Sequence, residues 1–331
     1  MKYDDEVARQ SREVARLLSA PHAHRLDTGR PVRFVGVGTS LHACRVAEYW
    51  FRDLTEDRGD VRAEDAHYFA LRGFLYPETQ VVVVSHRGTK RFTNEVLDRA
   101  RSLGCETVCI TSDSEVMPNA DVVLRTCTPD SASTHTVSYT SALAVLAQLV
   151  INSLGNAAQP LTTALTDVAG AMSATIEAPE PDADAQQTAE AARILVVGFG
   201  PDVITADEGA LKIKEGTYKW ADSLITEFAL HGPPAAYDQT LHAIILEPTV
   251  DDGGRTGTLE QVLSRLNATT STVAVDGSLK CANCHPYASP FVRIIPLQRL
   301  VGGVARLLGT SPDTIRTDVE PWKTAMTSFE L

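Results

Sequence analysis

The chain contains a repeat of its own strand–turn pattern. Arg33-Phe-Val-Gly-Val-Gly38 recurs as Arg193-Ile-Leu-Val-Val-Gly-Phe-Gly200, an apolar run closed by paired glycines. Self-similarity of this kind implies two units of one design. Each copy opens a strand–turn–helix alternation. Pro31–Val37 reads as a buried strand, Gly38-Thr39-Ser40 as a tight turn and Leu41–Leu54 as a helix. Val81–Val84 is apolar on every position, the mark of a strand covered on both faces. Ser85–Lys90 follows as a loop, then a helix to about Leu103, strands over 105–111 and Asp121–Arg125, and a long helix from about Val137 to Ser153. In the second copy a helix starts near Val203, strands fall near 241–247, 271–275 and 291–295, and a helix begins at Pro296. The fold class expected is α/β, with two doubly wound parallel sheets in tandem.

An amphipathic helix from about Asp4 to Leu18 precedes the first copy, with apolar Val7, Val14, Leu17 and Leu18 on one face. Ala178–Gln187 is acidic and rich in proline. It reads as the boundary, giving domains at 1–177 and 190–331 joined by a linker at 178–189. At 44 % hydrophobic and 22 % charged, the 331-residue chain has the balance of a soluble globular protein. A net charge of −12 argues against nucleic-acid binding. No apolar run approaches the length that spans a bilayer, and the polar start Met1-Lys-Tyr-Asp-Asp-Glu6 is no signal peptide, so a cytoplasmic location is expected. The six cysteines are then reduced thiols. Cys281-Ala-Asn-Cys284-His285 has the haem c attachment pattern but lacks the export signal such proteins need, and no second cysteine pair completes a zinc site.

The chemistry-bearing stretch is Glu208-Gly-Ala-Leu-Lys-Ile-Lys-Glu215-Gly-Thr-Tyr218, followed by His231-Gly-Pro-Pro234. On a helix, Lys212 and Glu215 are neighbours on one face. They are either a solvated ion pair or a general base beside a cation that stabilises developing negative charge. His231 sits in a Gly-Pro-bounded turn and suits proton transfer near neutral pH.

Ala210-Leu-Lys-Ile-Lys-Glu215 and His231-Gly-Pro233, at this separation, resemble the signature of the double sugar-isomerase (SIS) domain proteins, among them the isomerase half of glucosamine-6-phosphate synthase. The likeness extends more weakly over most of the chain. It implies an aldose–ketose isomerase acting on a sugar with an anionic end group through an enediolate, with no metal or redox cofactor. Glu215 would move the carbon-bound proton, Lys212 would stabilise the enediolate oxygen, and His231 would shuttle the ring-oxygen proton. The family's equivalent of His231 enters from a neighbouring subunit, which implies a homodimer with shared sites. The first domain would hold the anion and the second would supply acid and base, the second copy having no counterpart of the Ser85–Lys90 loop.

Gly38, Thr39 and Ser40 match the family's first anion-binding turn. The second anion loop reads in the family like Ser-Gln-Ser-Gly-Glu-Thr; here it is Ser85, His86, Arg87, Gly88, Thr89 and Lys90. Two cations stand where the family has hydroxyls. They either point to solvent or grip the anion, a phosphate or a sulfonate such as that of a 6-deoxy-6-sulfo-hexose. The family's third stretch, near Ala-Ser-Thr-Lys, has become Thr134-His-Thr-Val137, so its lysine is missing; His135 stands nearby, as either a polar residue at a helix start or a substrate contact. Lys323 or Arg316 would replace the family's tail lysine over the sugar. The glutaminase half and its N-terminal cysteine have no counterpart here, so synthesis of amino sugars from glutamine is not expected. The competing readings are an amino-sugar-phosphate deaminase or deglycase, and a non-catalytic sugar-phosphate regulator.

Overall fold

Five segments pair as parallel strands in the first sheet. They are β1 (Val32–Gly36), β2 (Val61–Asp65), β3 (Gln80–Val84), β4 (Glu106–Thr111) and β5 (Val122–Arg125), in the order β2-β1-β3-β4-β5. The structure, a computed structural model, describes residues 1–329. Every residue of β3 is buried, as its run of valines requires. Around this sheet lie α2 (Thr39–Leu54), α3 (Ala66–Arg72), α4 (Arg91–Ser102), α5 (Val137–Leu154) and α6 (Gln159–Ala164), with α1 (Lys2–Ser19) before it. One core cluster joins Val35, Val81 and Val83 of the strands to Phe69, Val96 and Leu97 of α3 and α4.

Helix α5 corrects one expectation. Its 18 residues carry no charge, and by length and composition the helix is apolar enough to cross a membrane. It is instead packed against α2 and β4, and buried from Val137 to Val150. Interspersed Ser, Thr and Gln hide its length when apolar runs alone are counted.

The second sheet repeats the plan. After α7 (Val168–Ile176) and α8 (Asp182–Glu190) come β6 (Arg193–Gly198), α9 (Asp202–Thr217), β7 (Ala221–Ile225), α10 (Thr226–Leu230), β8 (Leu241–Leu246), α11 (Arg255–Arg265), β9 (Thr269–Ala274), β10 (Leu279–Lys280), α12 (Ser289–Val292) and α13 (Ile294–Leu308). The strand order is β10-β9-β8-β6-β7, the first sheet's order read from the opposite edge. The repeated glycines explain the repeated motif. A Cβ on Gly36 would lie 2.6 Å from the Ser40 carbonyl carbon, and one on Gly198 would strike the Asp202 carbonyl. Gly38 and Gly200 both take positive φ, 54° and 58°, where the strand turns into its helix.

Three sequence expectations differ from the structure. The run at 291–295 is helical, split between α12 and α13, because a short buried apolar run has no period that separates strand from helix. The edge strands β2 and β7 escape notice because they are short, partly exposed and polar. The segment 178–189 is largely the helix α8, not a linker. Pro181 precedes its first turn, Asp182 and Asp184 complement the helix dipole, and the helix packs on α13. Composition that reads as a boundary is also the composition of a helix start. By internal packing the chain divides into residues 1–11, 131–134 and 167–316 as one compact unit, and 12–130, 135–166 and 317 onward, including α14 (Trp322–Thr327), as the other.

Candidate functional site

In the first sheet, the C-terminal ends of β1, β3 and β4 open onto the turn into α2 and the start of α5. A small cavity of about 20 Å³ lies there, room for roughly one water. Thr39, Ser40, His86 and His135, all singled out by the motifs, line it together with Ser138 and Tyr139 of α5. Ser138 Oγ is buried with no hydrogen-bond partner among the described residues, which leaves a hydroxyl for a bound group. Asp130 was not legible from the motifs. Its buried carboxylate accepts from Thr136 N–H at 2.8 Å and Ser138 N–H at 3.2 Å, satisfying the first turn of α5. The Asp130 N–H donates to His86 Nε2 at 3.3 Å, and the His135 ring meets the His86 ring edge-on at 4.8 Å. The two histidines, 49 positions apart in sequence (135 − 86), thus form one wall of the cavity.

The remaining residues of the loop do not line this cavity. Ser85 is buried, and its hydroxyl accepts from Thr93 Oγ1 at 3.2 Å, so it ties the loop to α4. Gly88 takes φ 66° and its N–H closes the turn onto the Ser85 carbonyl at 2.9 Å. Arg87 is exposed, and Lys90, half-buried, leads into α4. Burial pulls the Lys90 ammonium below the ordinary lysine range, and the neighbouring Arg87 charge adds to the effect. Lys323 is exposed on α14 and does not line the cavity.

In the second unit, α9 runs unbroken from Asp202 to Thr217 and carries a charged cluster. Lys212 Nζ lies 2.6 Å from Glu215 Oε2 and 3.4 Å from Glu208 Oε1. Lys212 and Glu208 are 0 % exposed, so the surface-pair reading does not hold. Glu215 keeps 27 % of its side chain accessible. Burial alone would lower the Lys212 pKa; Glu208 and Glu215 together overcome it, and the net direction is upward. The ammonium therefore stays charged out of water. Glu208 completes the cluster, and its i to i+4 spacing from Lys212 is the signal that could have found it. The Tyr3 hydroxyl, donating to the Gln298 carbonyl at 3.0 Å, is driven up by burial and then by Glu215, Asp4 and Glu208.

His231 does not join this cluster within one chain. It ends α10 with 68 % of its side chain exposed, and its Nε2 pairs with Glu227 Oε1 at 2.9 Å. Arg316 stacks over the Tyr218 ring at 4.2 Å, beyond the end of α9, so its guanidinium is already engaged.

The family model described as "SIS domain" matches residues 30–152, the segment that builds the first sheet and its cavity. Residues 30–152 form a SIS domain. The chain around this SIS domain is 27 % identical over 313 residues to glutamine–fructose-6-phosphate aminotransferase [isomerizing] of Idiomarina loihiensis, covering 86 % of this chain and 50 % of the relative. It thus spans about half the length of the curated relatives it matches. The fold is that of solved SIS-type structures. A tagatose-6-phosphate ketose/aldose isomerase from Escherichia coli superposes with a TM-score of 0.76 at 17 % identity, covering 98 % of this chain and 97 % of the other. A glucosamine-6-phosphate deaminase from Thermotoga maritima does so with a TM-score of 0.76 at 20 % identity, covering 95 % and 97 %.

Proposed function

We propose that the protein is an aldose–ketose isomerase for a sugar with an anionic end group, working through an enediolate. The observation that carries this reading is Lys212, wholly buried yet held as a cation between Glu208 and Glu215. Moving a proton between adjacent carbons needs a base for the C–H and a fixed positive charge where the oxygen becomes anionic. Glu215, partly accessible, is the base. Lys212 stabilises the enediolate oxygen, and Glu208 keeps Lys212 charged. His231 carries the ring-oxygen proton during opening. Its exposure and its separation from the α9 cluster suit delivery to a second copy's site, and hence a homodimer.

Thr39, Ser40, His86, His135 and Ser138, with backbone amides near Gly38 and Gly88, receive the anionic end, and Arg87 and Lys90 add charge to the grip. Two cations in place of hydroxyls suit a phosphate or, equally, a sulfonate at the far end of the sugar. Lys323 closes over the sugar. The printed names of the aminotransferase and isomerase relatives support sugar-phosphate chemistry. The likeness to a deaminase supports a second reading, amino-sugar-phosphate deamination by the same base, which ammonia release distinguishes.

The test uses Glu215→Gln on the full chain, assayed with 6-phosphorylated and 6-sulfonated hexoses and hexosamines. Turnover is expected to fall by roughly 10²–10⁴-fold with little change in substrate binding. A variant that isomerises and deaminates at wild-type rates on the substrate that the wild-type protein turns over would show that Glu215 is not the base.

A further inference from the structure

The two copies of the repeat match residue by residue where strand turns into helix, and the match puts Asp202 where the first copy has Ser40. Gly36 and Gly198 lie against the carbonyl groups of Ser40 and Asp202 respectively. The N–H of each bonds back across the turn, Ser40 to the Val37 carbonyl at 3.1 Å and Asp202 to the Phe199 carbonyl at 3.2 Å. The next connections correspond as well. Residues 247–254, between β8 and α11, hold the chain position of the Ser85–Lys90 loop, so the second copy does have a counterpart of that loop, with different chemistry. Ser85 N–H donates to the Ile110 carbonyl at 3.0 Å and Glu247 N–H to the Val273 carbonyl at 3.2 Å, at the same step of each ladder. Thr249 then falls at the place of Arg87.

Ser40 lines the cavity of the first copy. Asp202 fills the corresponding place with a carboxylate that is 0 % exposed. Arg293 Nη1 donates to its Oδ2 at 2.7 Å, Ser289 Oγ to its Oδ1 at 2.5 Å and Thr249 Oγ1 to its Oδ2 at 3.2 Å, and the Thr249 N–H donates to it too. Burial raises the Asp202 pKa, and Arg293, Ser289 and Thr249 pull against that rise. Arg293 is itself committed on other sides. Its Nη2 donates to the Val273 carbonyl at 2.5 Å, and the guanidinium also meets the Cys281 thiol. A guanidinium, two hydroxyls, a backbone N–H and the start of a long helix are the groups that hold a bound oxyanion. Here the oxyanion they hold belongs to the chain.

We propose that the anion crevice of the second copy is permanently occupied from within: the Asp202 carboxylate stands in for an anionic ligand and fixes the start of α9. The proposal rests on the reading of the first copy's turn as an anion site. It has two consequences. Each chain takes up one anionic substrate group, through the first copy, because the equivalent donors of the second are already engaged. And α9, which carries Glu208, Lys212 and Glu215, starts from a fixed point with or without substrate. A carboxylate at a helix N-terminus is also favoured by the helix dipole. Asp202 is thus a positioning residue for the α9 cluster.

The experiment gives the second copy the first copy's residue. Asp202→Ser removes the carboxylate, and formate is the smallest anion that restores one. Thermal unfolding of the full chain is followed in sodium formate and in sodium chloride at equal ionic strength. The wild-type Tm should be the same in both salts. Asp202→Ser should unfold about 6–15 °C lower in chloride, since it strands a buried guanidinium. Formate should return about half or more of that loss, saturably, with a midpoint of about 10–100 mM. Asp202→Ser/Arg293→Met, which leaves no charge to neutralise, should not respond to formate. If Asp202→Ser does not fold in chloride, its refolding carries the test: recovery in formate supports the proposal, and recovery in neither salt overturns it. On any sugar that the wild-type protein isomerises, formate should also raise the kcat of Asp202→Ser. If the wild-type protein turns over none, the isomerase reading fails and the Tm measurement still decides this one. The proposal is overturned if Asp202→Ser responds to formate no more than the wild type does, or if the double variant responds as fully as the single one.

Discussion

Glu208→Gln tests the cluster on α9 most directly, since it removes one charge from a site that water does not reach. Glu208 lies 3.4 Å from Lys212 Nζ. At an effective dielectric of about 20 that attraction is worth about 5 kcal/mol gross. Removing one partner of a buried ion pair outright costs about 3–5 kcal/mol, because the other charge is left uncompensated. Glu215 remains at 2.6 Å and glutamine retains an acceptor oxygen, so the net loss should lie lower, about 2–3 kcal/mol. For a unit of this size that corresponds to a fall in Tm of roughly 5–10 °C. The pH dependence follows from the direction of the shift. The folded-state pKa of Lys212 is raised above the ordinary 10.5, so its contribution to stability is complete below that value and drains away as pH climbs through the raised one. Without Glu208 burial weighs more heavily, and the alkaline loss of both stability and activity should move toward neutral pH. Thermal unfolding and kcat measured from pH 6 to 11 give the answer. A Glu208→Gln protein with wild-type Tm and an unmoved alkaline limb would refute the claim that Glu208 keeps Lys212 charged.

Other outcomes follow from the same geometry. Arg87→Ser replaces a charge-assisted fork with one hydroxyl and should raise KM by roughly ten- to a hundred-fold with a smaller effect on kcat; identical kinetics on phosphorylated and sulfonated sugars would place Arg87 in solvent. Mixed dimers of His231→Ala and Glu215→Gln chains should regain activity, because one of their two sites has both groups intact, and hybrids that form readily but stay inactive would count against a shared site. A Cβ at Gly209 would lie 2.5 Å from Leu297 Cδ1, so Gly209→Val should destabilise by about 1–3 kcal/mol by denaturant unfolding.

The sequence alone determined the repeat, the parallel sheets and most of their strands. β1, β3, β4, β6 and β8 are apolar because they are covered on both faces, and that burial is written directly into residue type. Their glycines are equally legible, since close approach and positive φ exclude other residues at Gly36, Gly38, Gly198 and Gly200. Local spacing was enough for Lys212 and Glu215, which a helix makes neighbours whatever surrounds it. What surrounds it was decided by tertiary structure. Only packing takes Lys212 from a solvated pair to a buried cation, and a periodic pattern says nothing of that. Edge strands β2 and β7 pair along one side, so their polar residues give no pattern to read. The Asp130 cap with its His86 contact, and the Arg293–Asp202 pair, join residues 44 and 91 positions apart. Such contacts are set by where strands end in the sheet, a property of the folded chain that no local window contains.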